Sequence, residues 1–309
     1  MGQVCGGEGM PPSYFRPTAE HWVAGQATDY VLYAKSPRRP MTDRFLEGRC
    51  ALVTGATSGI GLAIAEAMGA AGARVHINGL GDVVQVRRAA DAVRAAGAPE
   101  VWHWPADLRD PQAIAKMMRE AQQRALIDVL VNNAGIQHTA ALVDMPVEQW
   151  DAVIAINLSA CFHTMKAALP GMTERGFGRV INIASVHGLV ASVNKAPYVA
   201  AKHALVGLSK VCALEVAAQG SRESGGITVN CICPGWVETA LIEPQIAARS
   251  AAAGGDRDAG VRALLGEKQP SLRMSLPADI AAVALWLCRR EAHNITGVAL
   301  PVDGGWTAQ

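Results

Sequence analysis

Short apolar runs alternate with longer, alanine-rich amphipathic stretches along most of this chain. Apolar runs of four to eight residues, rich in β-branched side chains, predict buried strands, and the longer stretches predict helices. A helix is predicted after each of the first six strands. The predicted strands are residues 50–54, 74–78, 100–104, 127–132, 179–184, 227–232 and 298–302.

Strands that alternate with helices predict right-handed βαβ units and one parallel sheet covered on both faces. We therefore expect an α/β protein with a single doubly wound sheet of about seven strands flanked by helices. Ligands of such sheets bind beyond the carboxyl ends of the strands, near the point where the strand order reverses. The sequence shows no second domain and no internal repeat.

Two segments stand outside this alternation. Residues 1–43 contain glycine, proline and mixed charges without periodicity. We expect them to be an N-terminal extension, poorly ordered or a misassigned start, before a domain at 44–309. Residues 239–275 predict a small helical lid with helices at 242–253 and 261–268. The two helices either close over a ligand or lie on the surface around a flexible joint.

Composition and charge narrow the setting. The chain has 309 residues and a formal net charge of +1, so neither nucleic acid nor an anionic membrane is an expected partner. Its seven cysteines are scattered, and Cys231 and Cys233 lack the spacing of a redox or metal site. We expect reduced thiols, no metal site and a cytoplasmic location. No apolar run is expected to reach transmembrane length, and no signal or transit peptide is predicted.

A glycine-rich turn follows the first predicted strand. Its glycines are Gly55, Gly59 and Gly61, and a predicted helix begins directly after it. Glycine permits a tight turn and close approach of the backbone to a pyrophosphate, and the helix adds the positive end of its dipole. Ordinary βα turns also contain glycine. Its place after the first strand of an alternating chain nevertheless favours a dinucleotide site.

The end of the second predicted strand indicates which dinucleotide is bound. The segment from Asn78 to Asp82 contains no lysine or arginine, whereas a 2′-phosphate requires a cation nearby. We therefore expect NAD rather than NADP. Asp82 is equally suited to accept from the ribose hydroxyls and to cap the next helix.

The candidate catalytic groups lie between the fifth strand and the helix that follows it. Tyr198 and Lys202 are four residues apart and share one face of that helix, and Ser185 follows the strand end. A free tyrosine ionises only near pH ~10, but an ammonium group one turn away favours the phenolate. Ser185 can polarise the oxygen that Tyr198 protonates or deprotonates. This chemistry interconverts an alcohol and a ketone, and it requires a hydride carrier.

Together, these motifs resemble the short-chain dehydrogenase/reductase family from about residue 45 to the C-terminus. The resemblance implies a Rossmann-type sheet, a homotetramer, and hydride transfer to or from a nicotinamide. It implies that Asn157 anchors a water in a proton relay behind Lys202. Taken alone, Asn157 would be a buried amide bonded to backbone. The matching motifs are Thr54-Gly55-x-x-x-Gly59-Ile60-Gly61, Asn132-Asn133-Ala134-Gly135, Ser185, Tyr198-x-x-x-Lys202 and Pro234-Gly235.

The resemblance also implies which residues contact the cofactor. Asp107 and Leu108 would reach the adenine, although ordinary turn chemistry also accounts for them. Tyr198 and Lys202 are expected on the nicotinamide side as well as in catalysis. The expected cofactor contacts are Gly55, Thr57, Ser58, Gly59, Ile60, Gly61, Leu80, Asp107, Leu108, Asn133, Gly135, Tyr198, Lys202, Pro234, Gly235 and Val237.

Within the family, segments 133–138, 183–192, 233–237, 268–271 and 302–307 resemble those of dehydrogenases that act on short 3-hydroxy acids. The resemblance implies reversible, NAD-dependent oxidation of (R)-3-hydroxybutyrate to acetoacetate. Each polar residue assigned to the substrate carboxylate would, taken singly, be an exposed loop residue. The two tryptophans either wall the pocket or pack as core aromatics. The expected substrate contacts are Gln137, His187, Lys195 and Gln245 at the carboxylate, with Ser185, Tyr198, Trp236 and Trp306.

Two other functions stay open on the same motifs. One is a 3-oxoacyl-thioester reductase that uses NADPH, which the missing cation after the second strand disfavours. The other is a non-catalytic nucleotide-binding scaffold, which the set of Asn157, Ser185, Tyr198 and Lys202 disfavours.

Overall fold

A computed structural model describes residues 43–308, and the expectations for the N-terminal extension lie outside this part except at Asp43. Seven parallel strands form one sheet in the order β3-β2-β1-β4-β5-β6-β7. The predicted Rossmann-type α/β class is confirmed. The strands are β1 (Cys50–Val53), β2 (Arg74–Asn78), β3 (Val101–Trp104), β4 (Val129–Asn132), β5 (Phe177–Ile183), β6 (Gly226–Pro234) and β7 (Ala299–Val302).

Helices cover both faces of the sheet. All residues of β1, β4 and β5 are buried, which agrees with the mostly apolar sequences of these strands, since a parallel sheet covered by helices has no solvent-facing side. The helices are α1 (Gly59–Ala70), α2 (Val83–Ala96), α3 (Pro111–Arg124), α4 (Val147–Ile154), α5 (Ala160–Arg175), α6 (Ala196–Val216), α7 (Glu243–Ala252), α8 (Arg257–Lys268) and α9 (Pro277–Leu287).

The strand order reverses between β1 and β4. The chain runs outward from β1 to β3 and then crosses back to begin β4 on the other side of β1. The glycine turn after β1 and the segment after β4 are therefore neighbours at one edge of the sheet. A crevice at such a switch point is where open α/β sheets bind their ligands.

A chain of buried polar side chains crosses the centre of the sheet. Asn132 donates to the Oδ1 of Asn182 (2.8 Å), and Asn182 donates to the hydroxyl of Ser209 (2.7 Å). The hydroxyl of Thr164 donates to Asn132 at 2.7 Å. These bonds tie α5 and α6 to β4 and β5, and buried amides paired in this way fix the positions of the elements that carry them.

The helix that the sequence predicts from Val147 to Met172 is not uniform. A π-helical turn at Ala155–Ser159 separates α4 from α5, and it contains the fully buried Asn157. A π turn holds one residue more than an α turn and occurs frequently at functional sites.

The same helix corrects an expectation. The helix Val147–Arg175 spans 29 residues and contains an apolar window of 18 residues with a mean hydropathy of 1.4, so by length and composition one described helix could cross a membrane. In the described part of the chain, 39% of this apolar window is buried inside the protein. Its buried Asn157 and Thr164 bond to the sheet side, as expected of a core helix in an α/β protein.

The segment predicted as a lid contains two helices, α7 and α8, and α8 begins four residues earlier than the sequence predicts; closure over a ligand stays a prediction. The segment leaves and rejoins the domain at one point, where Trp236 and Glu238 form backbone hydrogen bonds with Ser275. The α7 and α8 helices lie over a separate apolar cluster. That cluster contains Val186, Trp236, Ile242, Ile246, Leu264, Leu265 and Trp306.

Candidate active site

A cavity of about 450 Å³ lies at the carboxyl ends of β1, β4, β5 and β6, between the sheet and the lid. All the predicted site residues line it except Gly61 and Asn157, which lie behind the wall. The predicted residues in the lining are Gly55, Thr57, Ser58, Gly59, Ile60, Leu80, Asp107, Leu108, Asn133, Gly135, Gln137, Ser185, His187, Lys195, Tyr198, Lys202, Pro234, Gly235, Trp236, Val237, Gln245 and Trp306.

The glycine turn forms one end of this cavity. Gly55 and Gly59 adopt left-handed φ values of +62° and +55°, which side chains other than glycine rarely tolerate. A Cβ atom on Gly55 would come within 2.8 Å of the backbone of Ala134, and one on Gly61 would collide with the Gly55 carbonyl. Gly61 thus keeps the turn tight from beneath, whereas Gly55 and Gly59 border the cavity.

The α1 helix begins inside this turn with unpaired backbone donors. Its N-cap, Ser58, makes no side-chain capping bond, and no acidic residue occupies the first turn. The first N–H groups of a helix carry partial positive charge and are suited to an anion. Together with the glycine cradle, they fit the pyrophosphate of a dinucleotide.

Asn133 supports the turn from β4. Its side-chain amide donates to the carbonyls of Thr54 (2.9 Å) and Gly55 (3.0 Å). The Asn133 side chain therefore holds the glycine turn in place. Asn133 also lines the cavity, so its predicted cofactor contact would be made by its backbone or by neighbouring atoms.

At the end of β2, the two roles considered for Asp82 can be separated. Its carboxylate accepts from the backbone of Gln85 at 2.8 Å and caps α2, and Asp82 does not line the cavity. Leu80 and Asp107 do line it. The bidentate hydrogen bonds of Arg109 hold the pKa of Asp107 below its ordinary value, so this carboxylate stays ionised.

Ser185, Tyr198 and Lys202 are brought together as the sequence predicts. Ser185 follows the end of β5, and its hydroxyl accepts from the backbone N–H of His187 at 3.1 Å. Lys202 donates to the carbonyl of Ile183 at 2.8 Å, and its Nζ lies 5.6 Å from the centre of the Tyr198 ring. The carbonyl at the strand end thus holds the ammonium group beside the tyrosine.

Asn157 is a buried amide bonded to backbone, as expected when this residue is considered alone. Its Oδ1 accepts from the backbone N–H of Ile136, and its Nδ2 donates to the Ile136 carbonyl, both at 2.9 Å. The side chain therefore clamps the segment after β4 that carries Gly135 and Gln137. A part in a proton relay stays a prediction.

Lys195 defines the opposite end of the cavity. It is 7% exposed, and among the described residues no carboxylate lies within ion-pair distance of it. Its Nζ is 3.5 Å from the Oε1 of Gln245 and 5.2 Å from the Trp236 ring centre. The preceding Asn194 has a left-handed φ of 62°, a conformation that asparagine tolerates better than most residues. Burial lowers the pKa of Lys195, and the charge of Arg249 lowers it further.

His187 faces the same space as a neutral imidazole. Burial, and secondarily the charge of Lys195, lowers the pKa of His187 to about 4. Its ring stands edge-on to Tyr198 at 6.1 Å and to Trp306 at 5.5 Å between centroids. With His187 neutral near pH 7, the ammonium of Lys195 is the positive charge that the described lining offers at this end.

The two tryptophans both line the cavity and pack as core aromatics, the two roles considered for them. Trp236 and Trp306 lie 5.3 Å apart between ring centres in the apolar cluster beneath the lid, and both line the cavity. Gln137 is half-buried in the lining, with only a long contact of 3.5 Å to Thr139. Its amide is thus free to turn toward a ligand.

Two supporting residues were not predicted. Gln269 is 2% exposed, and its Oε1 accepts from the backbone of Trp236 at 3.1 Å. Asp303 accepts from the backbone (2.9 Å) and hydroxyl (2.6 Å) of Thr307 and so fixes the turn that carries Trp306. Gln269 and Asp303 lie in two of the segments, 268–271 and 302–307, that resemble dehydrogenases acting on short 3-hydroxy acids. That resemblance was the sequence signal that could have identified them.

Comparisons with known proteins agree with this geometry. Residues 49–250 match the short chain dehydrogenase family. A D-beta-hydroxybutyrate dehydrogenase of Cupriavidus necator is 48% identical, with 85% of this chain and 100% of that protein covered. One of Rhizobium meliloti with the same name is 45% identical over 84% of this chain and 99% of that protein.

A solved structure is also similar over most of the chain. It is a putative 2-deoxy-D-gluconate 3-dehydrogenase from Agrobacterium tumefaciens with bound NADP. It has a TM-score of 0.72 and 36% identity, with 88% of this chain and all of that chain covered. The cavity, its catalytic groups and these matches lead to one assignment: the chain belongs to the short-chain dehydrogenase family of oxidoreductases and has a nucleotide cofactor.

Proposed function

We propose that this protein catalyses the reversible oxidation of (R)-3-hydroxybutyrate to acetoacetate with NAD. The observation that carries the proposal is the buried ammonium of Lys195, which lines the cavity without a carboxylate partner among the described residues. A buried charge is costly unless it is paired. A substrate carboxylate bound beside Lys195 supplies that pair.

Charge and shape at this end favour a short monocarboxylate. With His187 neutral, Lys195 offers one positive charge, and the amides of Gln137 and Gln245 add uncharged donors. The paired rings of Trp236 and Trp306 close the apolar side. A long acyl chain or a thioester carrier would have to displace these groups.

The proton chemistry then follows from the groups beside β5. Tyr198 takes the proton of the substrate hydroxyl during oxidation and returns it during reduction, and Ser185 donates a hydrogen bond to the same oxygen. Lys202 is held beside the phenol by its hydrogen bond to the Ile183 carbonyl. The glycine turn and the first turn of α1 would hold a nicotinamide nucleotide, which would supply the hydride acceptor for oxidation at C3 and the hydride donor for reduction.

The preference for NAD is part of this proposal. The cations in the cavity lining are Lys195 and Lys202, which stand at the catalytic and acid-binding end. The lining at the end of β2 presents Leu80 and backbone instead. A 2′-phosphate bound there would meet no lining cation, which supports the unphosphorylated nucleotide.

One assay separates the proposed function from its alternatives. NADH absorbance is followed with (R)-3-hydroxybutyrate and NAD, and NADPH consumption with acetoacetyl thioester. We expect the first reaction to exceed the second by orders of magnitude in kcat/KM. The reverse ranking would support the thioester reductase. Nucleotide binding without either reaction would support the non-catalytic scaffold.

We also propose a homotetramer in the cytoplasm. Phe162 on α5 and Val211 and Leu214 on α6 are large apolar side chains exposed on the single chain, which supports subunit contacts through these helices. The six described cysteines are free and buried, which supports a reducing compartment. Sedimentation equilibrium tests the assembly, and a monomer at micromolar concentration would contradict it.

A further inference from the structure

Arg249 occupies a central position in the lid. Its Nε and Nη2 donate to the two carboxylate oxygens of Glu267, at 2.6 and 2.7 Å. Its Nη1 donates to the backbone carbonyl of Gln245 at 3.0 Å. One guanidinium therefore joins α8 to the turn of α7 that presents Gln245, and bidentate pairs of this kind fix orientation as well as distance.

The same guanidinium acts on Lys195. The side-chain oxygen of Gln245 lies 3.5 Å from Lys195 Nζ, so the contacts run from Glu267 through Arg249 and Gln245 to the buried ammonium. The positive charge of Arg249 contributes, after burial, to lowering the pKa of Lys195. Glu267, bonded to Arg249 through both carboxylate oxygens, carries the opposite charge. Other titratable groups around this path are His187, Tyr198, His203 and Lys268.

We propose that Arg249 and Glu267 are positioning residues for substrate recognition: the pair holds Gln245 against Lys195, and Glu267 balances the charge of Arg249. This inference rests on the proposed function, because it assigns Lys195 and Gln245 to the substrate carboxylate. The pair contacts neither Tyr198 nor the glycine turn. It therefore acts on the affinity for the acid and leaves the affinity for the nucleotide unchanged.

The lid contains a matched control pair. Arg257 Nη2 and Glu243 Oε1 are 2.7 Å apart and also join α8 to α7. The Glu243 side chain is 47% exposed, the same as that of Glu267. Neither residue of this second pair bonds to Gln245 or Lys195 among the described contacts. A general loosening of the lid would affect both pairs alike.

The first test compares Glu267→Gln with Glu243→Gln. We expect Glu267→Gln to raise the KM for (R)-3-hydroxybutyrate about two- to fivefold, since half-exposed ion pairs contribute up to about that factor in affinity. The kcat and the Kd for NADH should change less than twofold. Glu243→Gln should leave all three values within twofold. An equal rise of KM in both variants would overturn the proposal.

The second test uses the sign of a pH shift. Lys195 binds a carboxylate only while it is protonated, so this affinity is lost as pH rises through its pKa. In Glu267→Gln the uncompensated charge of Arg249 lowers that pKa, so the loss moves to lower pH. In Arg249→Met the charge is absent and the loss moves to higher pH, although KM again rises. A merely structural pair would shift both profiles in the same direction or neither.

A measurement that does not depend on turnover distinguishes a failure of the proposed function from a failure of the role proposed for Arg249 and Glu267. If the wild-type protein does not oxidise the acid, the proposed function fails. The rate of Lys195 acetylation against pH, measured by mass spectrometry, still tests the electrostatic role. We expect its midpoint to fall in Glu267→Gln and to stay unchanged in Glu243→Gln. No difference between these two variants would overturn the role of the pair.

Discussion

The two ends of the cavity are built by different means. The centre of the proposed nucleotide end is the glycine turn from Gly55 to Gly61 with the first turn of α1, and Leu80 and Asp107 line the cavity beyond it. The proposed acid-binding end consists of side chains from three segments: Gln137 after β4, His187 and Lys195 between β5 and α6, and Gln245 on α7. Tyr198 lies between the two ends.

This difference predicts how each end responds to substitutions. A backbone cradle binds any dinucleotide and depends on few side chains, so it tolerates change everywhere except at its glycines. The acid-binding end depends on one buried charge and on the lid that delivers Gln245. Each end should therefore fail separately when its own residues are changed.

The largest effect is expected where the ends meet. Tyr198→Phe removes the proton donor and acceptor, and general acid–base catalysis typically contributes about 10²- to 10⁴-fold. We expect kcat to fall by that factor while the Kd for NADH, measured by fluorescence, changes little. Activity above a tenth of the wild-type value would contradict the role of Tyr198.

The next effect should be confined to the acid-binding end. Lys195→Met removes the buried ammonium, and loss of one partner of a buried charge pair costs about 2 kcal/mol or more, which is about 30-fold in affinity. Steady-state kinetics should show this in the KM for the hydroxy acid, with nucleotide binding retained. Lys116→Met, an exposed position on α3, is the control. An unchanged KM in Lys195→Met would remove the basis of the proposed substrate.

The third effect should be confined to the nucleotide end. Leu80→Arg places a cation at the end of β2, where it can pair with a 2′-phosphate. Hydrogen bonds to charged groups contribute about 1.5 kcal/mol or more, so we expect kcat/KM with NADP relative to NAD to rise about tenfold. The KM for the hydroxy acid should stay the same. A wild-type preference for NADP would contradict the proposed cofactor directly.

The smallest effect concerns the neutral imidazole. Because the pKa of His187 is lowered to about 4, the ring takes up a proton only as pH falls toward that value. Between pH 5 and 8 we expect the KM for the hydroxy acid to vary less than about twofold through this residue. His187→Gln should show the same flat profile at a higher KM. A step near pH 6.5 in the wild type, absent from the variant, would show that His187 is charged when it binds.

The residues of the glycine turn and of the Tyr198 helix could be located from the sequence because their signals are local, and their contacts with a nucleotide stay a prediction. The glycine turn and the spacing of Tyr198 and Lys202 each lie within one element, and periodicity places them on the right face. Asp82 could not be assigned, since a helix cap and a ribose contact require the same carboxylate. The structure places it at the cap.

The contacts that could not be predicted from the sequence join segments that are far apart along the chain. The chain of bonds from Thr164 through Asn132 and Asn182 to Ser209 connects two strands and two helices, and no pattern along one element indicates it. The π turn at Ala155–Ser159 was missed because a single added residue scarcely alters hydrophobic periodicity. The same long helix was wrongly expected to fall short of transmembrane length.

Because of that π turn, the parts of the helix before and after it are rotated relative to each other about the helix axis. An extra residue rotates everything beyond it by about 100° relative to an uninterrupted α-helix. Within the π turn, Asn157 bonds to Ile136 beside the proposed catalytic groups. Beyond the π turn, Thr164 bonds to Asn132 in the sheet. Removing a single residue here, other than Asn157, would leave Asn157 and Thr164 in place along the chain and yet misalign one of their two contacts, so in this helix the number of residues is itself a constraint.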